Sequence, residues 1–131
     1  MSSDPRLRIL VVDDYAAMRR IMRSLLTRLG FDDVDEAADV HQALAQMQRQ
    51  TYGLVISDWN MEPLNGLEFL KMVRAEKRYA DLPFILVTAS EQADYAAQAT
   101  AAGVSDYLVK PFSEQVLRQR ILSACRTVRA A

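Results

Sequence analysis

The sequence predicts an α/β fold: a doubly wound parallel sheet of five strands with helices on both faces. Three observations carry that expectation. Short runs of β-favouring apolar residues alternate with longer stretches of helical periodicity along the whole chain, the pattern of successive βα units. The apolar runs are continuous rather than alternating with polar residues, as expected of strands covered on both faces. And 131 residues make one domain, long enough to bury about two-thirds of its unfolded surface. Connections between parallel neighbours should be right-handed.

The elements follow in order. Ile9-Leu10-Val11-Val12 reads as a buried strand that ends in Asp13-Asp14. Met18, Ile21, Met22, Leu25, Leu26 and Leu29 then form one helical stripe. Arg19, Arg20, Arg23 and Arg28 fall off that stripe onto a solvated face, with docking of a partner protein as the alternative, and Gly30 stops the helix. Val34 to Ala37 is a short, weakly marked strand. Asp39 with Gln42 has capping-box spacing and opens a helix through Arg49. Gly53 to Ser57 is a second buried strand, ending at Asp58. Asn65 and Glu68 form another box, opening a helix that carries Leu67, Leu70 and Val73. Pro83 to Val87 is a strand ending in Thr88-Ala89-Ser90. An alanine-rich helix from about Gln92 to Ala102 is stopped by Gly103. Tyr107-Leu108-Val109 is the last strand, ending at Lys110-Pro111. Ser113 caps a final helix carrying Leu117, Ile121, Ala124, Cys125 and Val128.

Composition excludes several classes. Sixteen basic residues against 17 acidic ones leave a net charge of -1, which is unlike the basic domains that bind nucleic acid. One cysteine, Cys125, and one histidine, His41, supply no disulfide and too few soft ligands for structural zinc. Cys125 reads as a small core residue and His41 as a surface helix residue. No apolar run reaches the ~18 residues of a membrane span, and Met1 to Arg8 lack the apolar stretch of a signal peptide. The expected molecule is a soluble, cytoplasmic, single-domain protein over residues 1–131, with its core at about 7–128.

Doubly wound sheets place their sites beyond the carboxyl ends of the strands. Asp13, Asp14, Asp58, Thr88 and Lys110 are therefore expected together at one sheet edge. Two like charges ~4 Å apart repel by about 4 kcal/mol at an effective dielectric near 20, so one lysine cannot neutralise three carboxylates. A hard divalent cation fits such oxygen ligands, and Mg2+ binds through one or two carboxylates plus waters and phosphate oxygens. Lys110 would place a point charge, and Thr88 a hydroxyl, near a phosphoryl oxygen. No GxxxxGK[ST] loop, GxGxxG or GxSxG motif is present, and four glycines give little cradle for a nucleotide. An aspartate nucleophile forming an acyl phosphate remains open.

The segments Val11-Val12-Asp13-Asp14, Ile56-Ser57-Asp58-Trp59-Asn60-Met61, Val87-Thr88-Ala89 and Val109-Lys110-Pro111-Phe112 resemble the motifs of two-component response-regulator receiver domains. The resemblance is strongest to the single-domain chemotaxis regulators of the CheY type, and it spans about Leu7 to Val128. It implies a flavodoxin-like (βα)5 fold with strand order 2-1-3-4-5. It implies Asp58 as the acceptor of a phosphoryl group from a sensor histidine kinase or phosphotransferase. Asp13, Asp14, Asp58 and the backbone carbonyl of Asn60 would hold Mg2+, or Mn2+ in its place. Lys110 would pair with the phosphoryl oxygens, before a cis Lys110-Pro111 bond. Thr88 would move to bond the phosphoryl group, and Tyr107 would swap from outward to inward, against the alternative of a fixed, half-buried tyrosine. Trp59 reads as an exposed neighbour of the site. The implied protein is a monomeric phosphoacceptor, not an enzyme, signalling to a downstream protein such as the flagellar motor switch and binding neither DNA nor membrane.

Some residues depart from the family pattern. Glu62 stands where proline is usual, with Pro63 one place later, and Asn65 where Asp precedes the glycine. Glu62, Ser90 and Trp59 are therefore candidate modulators of the site. Ser90-Glu91-Gln92-Ala93-Asp94 brings no lysine to the start of the fourth helix, where chemotaxis regulators carry lysines on their output face. The alternatives are a phosphate shuttle or sink in another phosphorelay and, in a different class, a small phosphatase with an Asp nucleophile. Asn60 in the place of the second Asp such phosphatases use counts against the latter, and the scarcity of glycine counts against a flavodoxin-like cofactor binder.

Overall fold

The computed structural model of the chain describes residues 7–89 and 93–125. Five strands, β1 (Ile9–Val12), β2 (Val34–Ala37), β3 (Leu54–Asp58), β4 (Phe84–Thr88) and β5 (Asp106–Val109), alternate with five helices. These are α1 (Ala16–Arg28), α2 (Val40–Arg49), α3 (Gly66–Ala75), α4 (Ala93–Ala101) and α5 (Glu114–Ala124). All strand pairs are parallel, in the order β2-β1-β3-β4-β5.

The continuous apolar runs exist because each strand feeds two cores. Successive side chains point to opposite faces. Leu10, Val12, Val55, Phe84 and Leu86 pack under α2, α3 and α4, where Phe69 and Phe84 meet edge to face at 5.3 Å. Ile9, Val11, Ile56, Ile85 and Val87 pack under α1 and α5. Strand β2 is weakly marked because it is an edge strand, paired only with β1. Its ends Val34 and Ala37 are buried, while Asp35 and Glu36 are half-buried.

Helix ends follow from local chemistry. The predicted box at α3 is complete: the Asn65 side chain accepts from the Glu68 amide and Glu68 accepts from the Asn65 amide, both at 2.8 Å. At α2 only half forms. Asp39 accepts from the Gln42 amide at 2.8 Å, but Gln42 Oε1 reaches the amide of Ala38 instead. Ser113 caps α5 through the Val116 amide at 3.1 Å. Gly30 and Gly103 follow α1 and α4 with φ of 99° and 91°, the left-handed conformation that ends a helix at glycine.

Several expectations need correcting. Asp58 and Thr88 are the last residues of their strands rather than the residues beyond them. Ile21 is 52% exposed, because α1 turns the side bearing Met22 and Leu26 to the sheet and leaves Ile21 at the margin of the stripe. A 3-10 turn at Lys77–Tyr79, which no periodicity signals, links α3 to β4. Gln92 and Val128 lie outside the described residues. Among the described residues no helix is long and apolar enough to cross a membrane.

Candidate functional site

The register of the sheet builds the site. Val12 lies beside Ser57, so the residues that follow them, Asp13 and Asp58, emerge side by side from β1 and β3. Thr88 lies beside Val109, which brings Lys110 to the same edge, and the Lys110 amide donates to the Thr88 carbonyl at 2.7 Å. Carboxylate oxygens of Asp13, Asp14 and Asp58 all lie within 4.8 Å of one another. Lys110 Nζ sits 3.0 Å from Asp58 Oδ1. Asp13, Asp58 and Thr88 are buried, and Asp14 is exposed. The structure thus brings Asp13, Asp14, Asp58 and Lys110 together, with Thr88 at the end of the neighbouring strand.

Its electrostatics are strained. Burial pushes the Asp13 carboxyl above its usual range, the Tyr15 amide opposes this, and the charge of Asp58 adds to it. Burial also pushes Asp58 up; Lys110 pulls it back by hydrogen bond and charge, and Asp14 pushes it further up. At an effective dielectric near 20, each pair of ionised carboxylates ~4 Å apart costs about 4 kcal/mol. The described residues place one lysine against this. An acceptor-only set of hard oxygens with excess negative charge fits a divalent cation such as Mg2+.

The frame around the cluster is tightly set. Asp13 Oδ1 accepts from the Tyr15 amide at 3.0 Å. The Trp59 amide bonds the Val87 carbonyl and the Gly66 amide bonds the Trp59 carbonyl, both at 2.8 Å. Gly66 opens α3 directly against the end of β3. A Cβ there would run into the Asp58 carbonyl oxygen and lie 2.9 Å from Trp59 Cα and Leu86 Cδ2, so only glycine lets the helix start so close.

Other residues are placed as follows. Trp59 is not exposed, as the sequence suggested: it is 6% exposed and stacks on Tyr95 of α4 with centroids 4.7 Å apart. The indole turns into the α2–α3–α4 core because an apolar ring waits there, which the strand-end position alone does not reveal. Tyr107 is half-buried against the same core; burial raises its hydroxyl pKa, with Tyr95 adding. Glu62 and Asn60 are exposed, and Ser90 lies outside the described residues. Both Lys110-Pro111 and Glu62-Pro63 are cis. His41 is exposed and Cys125 buried, as expected. Arg19 corrects the reading of the α1 arginines as a solvated face. Its side chain is 16% exposed and held by Glu36 and by the Asp13 carbonyl. No sequence signal pairs a helix residue with a glutamate 17 positions on. Arg28, at 69% side-chain exposure, stays on the surface in an ion pair with Glu114.

A carboxyl whose pKa is higher folded than unfolded holds its proton more tightly in the folded state. Stability then falls as pH rises from the ordinary value of 3.8 through the folded one, and ionised Asp13 is a net cost above that window. Without divalent cations, Asp13→Asn should therefore be more stable than wild type at pH 7, and the gap should close as pH drops below 3.8. Urea denaturation at several pH values checks this. A wild type that is the more stable at pH 7 would sink the charge-crowding account.

Comparison with known proteins agrees with this geometry. Residues 9–122 match the family described as the response regulator receiver domain. The chain is 42% identical over 115 residues to the chemotaxis protein CheY of Pseudomonas aeruginosa, covering 88% of this chain and 93% of that one. It is 46% identical over 116 residues to a chemotaxis protein CheY homolog of Campylobacter jejuni, covering 88% and 89%. Among solved structures, chemotaxis protein CheY4 of Vibrio cholerae superposes with a TM-score of 0.85 at 31% identity, over 92% of this chain and 99% of that one. A putative response regulator of Chloroflexus aurantiacus gives 0.87 at 27% identity, over 93% and 99%. The chain belongs to the response regulator receiver domain family, in its CheY type: a phosphoacceptor signalling domain of two-component systems rather than a metabolic enzyme.

Proposed function

We propose that this is a stand-alone response regulator, one receiver domain over residues 1–131, that accepts a phosphoryl group on Asp58 from a sensor histidine kinase or phosphotransferase. The observation that carries the reading is the convergence of three carboxylates within 4.8 Å, with Lys110 at 3.0 Å from Asp58. An Asp58 carboxylate oxygen attacks phosphorus, the bond from phosphorus to the donor nitrogen breaks, and that bond's electrons leave with the donor. Asp13, Asp14, Asp58 and the Asn60 carbonyl would hold Mg2+ (or Mn2+). When bound, Mg2+ supplies positive charge to the phosphoryl oxygens as negative charge gathers on them.

The product is about -1.5 to -2 in charge, with several acceptor oxygens where a carboxylate stood. Lys110 leaves its carboxylate oxygen for a phosphoryl oxygen. Thr88, at the end of β4, moves its hydroxyl toward another. Tyr107 follows inward on β5 and changes the face made by α4, β5 and α5. Only the conformation that brings these donors closer gains from phosphorylation, so the group shifts a population. Trp59 and Glu62, close after Asp58 in sequence, and Ser90, two places after Thr88, tune the lifetime of the phosphoryl group. Output is by protein–protein contact in the cytoplasm, as a monomer, in chemotaxis or motility control, with the flagellar motor switch as the target. No DNA or membrane is involved.

With acetyl phosphate and Mg2+, intact-mass measurement should show one phosphoryl group on wild type and none on Asp58→Asn or after chelation. Equal label on both proteins would remove Asp58 from its role. Beryllofluoride-treated protein should retain a motor-switch component in a pull-down. Capture of a phosphotransferase with no motor component would favour the shuttle or sink.

A further inference from the structure

We propose that Arg19 is a positioning residue for the carboxylate cluster: it fixes Asp13 through the main chain while its own charge is held by Glu36. The inference rests on the reading of Asp13 as a metal-binding residue. Arg19 lies in the first turn of α1, where its amide bonds the Tyr15 carbonyl at 3.1 Å. Its side chain turns back over the end of β1. Nη1 donates to the main-chain carbonyl of Asp13 at 2.6 Å, and Nε donates to Glu36 Oε1 of β2 at 3.1 Å. One guanidinium therefore ties α1, β2 and the residue after β1 together.

Each partner is fixed in turn. Glu36 Oε2 accepts from Arg23 at 2.7 Å, and the Glu36 carbonyl accepts from Gln46 of α2 at 3.1 Å. Burial raises the Glu36 carboxyl, but the hydrogen bonds from Arg23 and Arg19 outweigh it and hold the group below its usual range. The two arginines thus favour the ionised form of the anchor. Asp13 is gripped at three places: its amide donates to Ala37 at 3.2 Å, its carbonyl accepts from Arg19, and Oδ1 accepts from Tyr15 at 3.0 Å. With the carbonyl held, the peptide plane after Asp13 is set, and so is the direction in which its carboxylate leaves the strand. Arg23 bonds the same Glu36, whereas the Asp13 carbonyl is held by Arg19, so Arg23 serves as an internal control.

The alternatives differ in sign. A role through charge alone makes Arg19 a cation that repels a divalent cation, so its removal would tighten binding. A role in the fold alone lowers the unfolding temperature and leaves the affinity of the folded protein unchanged. Positioning predicts weaker binding, because groups that orient ligands from behind typically contribute 10–100-fold to metal affinity. Calorimetric titration of Mg2+ into the folded proteins at low ionic strength, with the thermal midpoint recorded for each, separates them. Arg19→Ala should bind Mg2+ about ten-fold more weakly, and Arg23→Ala within about two-fold of wild type. Arg19→Lys keeps the charge and the fold but cannot bridge both oxygens, so it should fall between. Wild-type or tighter affinity in Arg19→Ala, or in Arg19→Lys should the alanine variant not fold, overturns the proposal. Absence of Mg2+ binding by wild type overturns the metal reading and the positioning role with it.

Discussion

Three carboxylates packed more closely than their charges tolerate are the constraint on which the functional edge of this domain depends. Asp13, Asp14 and Asp58 share a space of 4.8 Å, two of them buried, with the Lys110 ammonium at 3.0 Å from Asp58. Desolvation and mutual repulsion leave Asp13 and Asp58 reluctant to ionise. The fold holds them there nonetheless, because two apolar cores clamp β1 and β3 into register from either side. The core thus stabilises an arrangement that its own polar edge opposes. A site of this kind gains free energy from a cation that relieves the crowding.

Backbone contacts and one ring stack join the end of β3 to α3 and α4, and β4 to the residue after β5. Gly66 starts α3 against the Asp58 carbonyl, Trp59 reaches from the next residue to Tyr95 of α4, and the Lys110 amide is bonded to Thr88. Thr88 on β4 and Tyr107 on β5 lie on neighbouring strands beside that same α4 contact. The proposed change in charge at Asp58 would therefore arise a short distance from α4 and β5.

Much of this was legible in the sequence, and for physical reasons. A strand buried on both faces has to be an unbroken apolar run, so Ile9 to Val12 and Phe84 to Val87 could be read without ambiguity. A parallel sheet has one carboxyl edge, so the polar residues ending those runs had to gather. What escaped depends on side chains meeting across distant elements. The depth of Trp59 depends on Tyr95 lying over it. The role of Arg19 depends on β2 pairing beside β1, which brings Glu36 within 3.1 Å. The exposure of Ile21 depends on how far α1 is rotated, which a wide apolar stripe leaves undetermined. Edge strand β2 was faint for the same reason that its Asp35 and Glu36 are free to pair with Tyr52 and the α1 arginines.

If a divalent cation relieves the built-in charge conflict at this edge, thermal unfolding against Mg2+ will show it. Ligand binding to the folded state alone stabilises it by about 2.7 kcal/mol at 100-fold excess over Kd. The midpoint of wild type should rise steadily with Mg2+ but not with NaCl of equal ionic strength, and the rise should be lost when Asp13 and Asp58 are both replaced by asparagine. An unchanged wild-type midpoint, or an equal rise in the double variant, would contradict it.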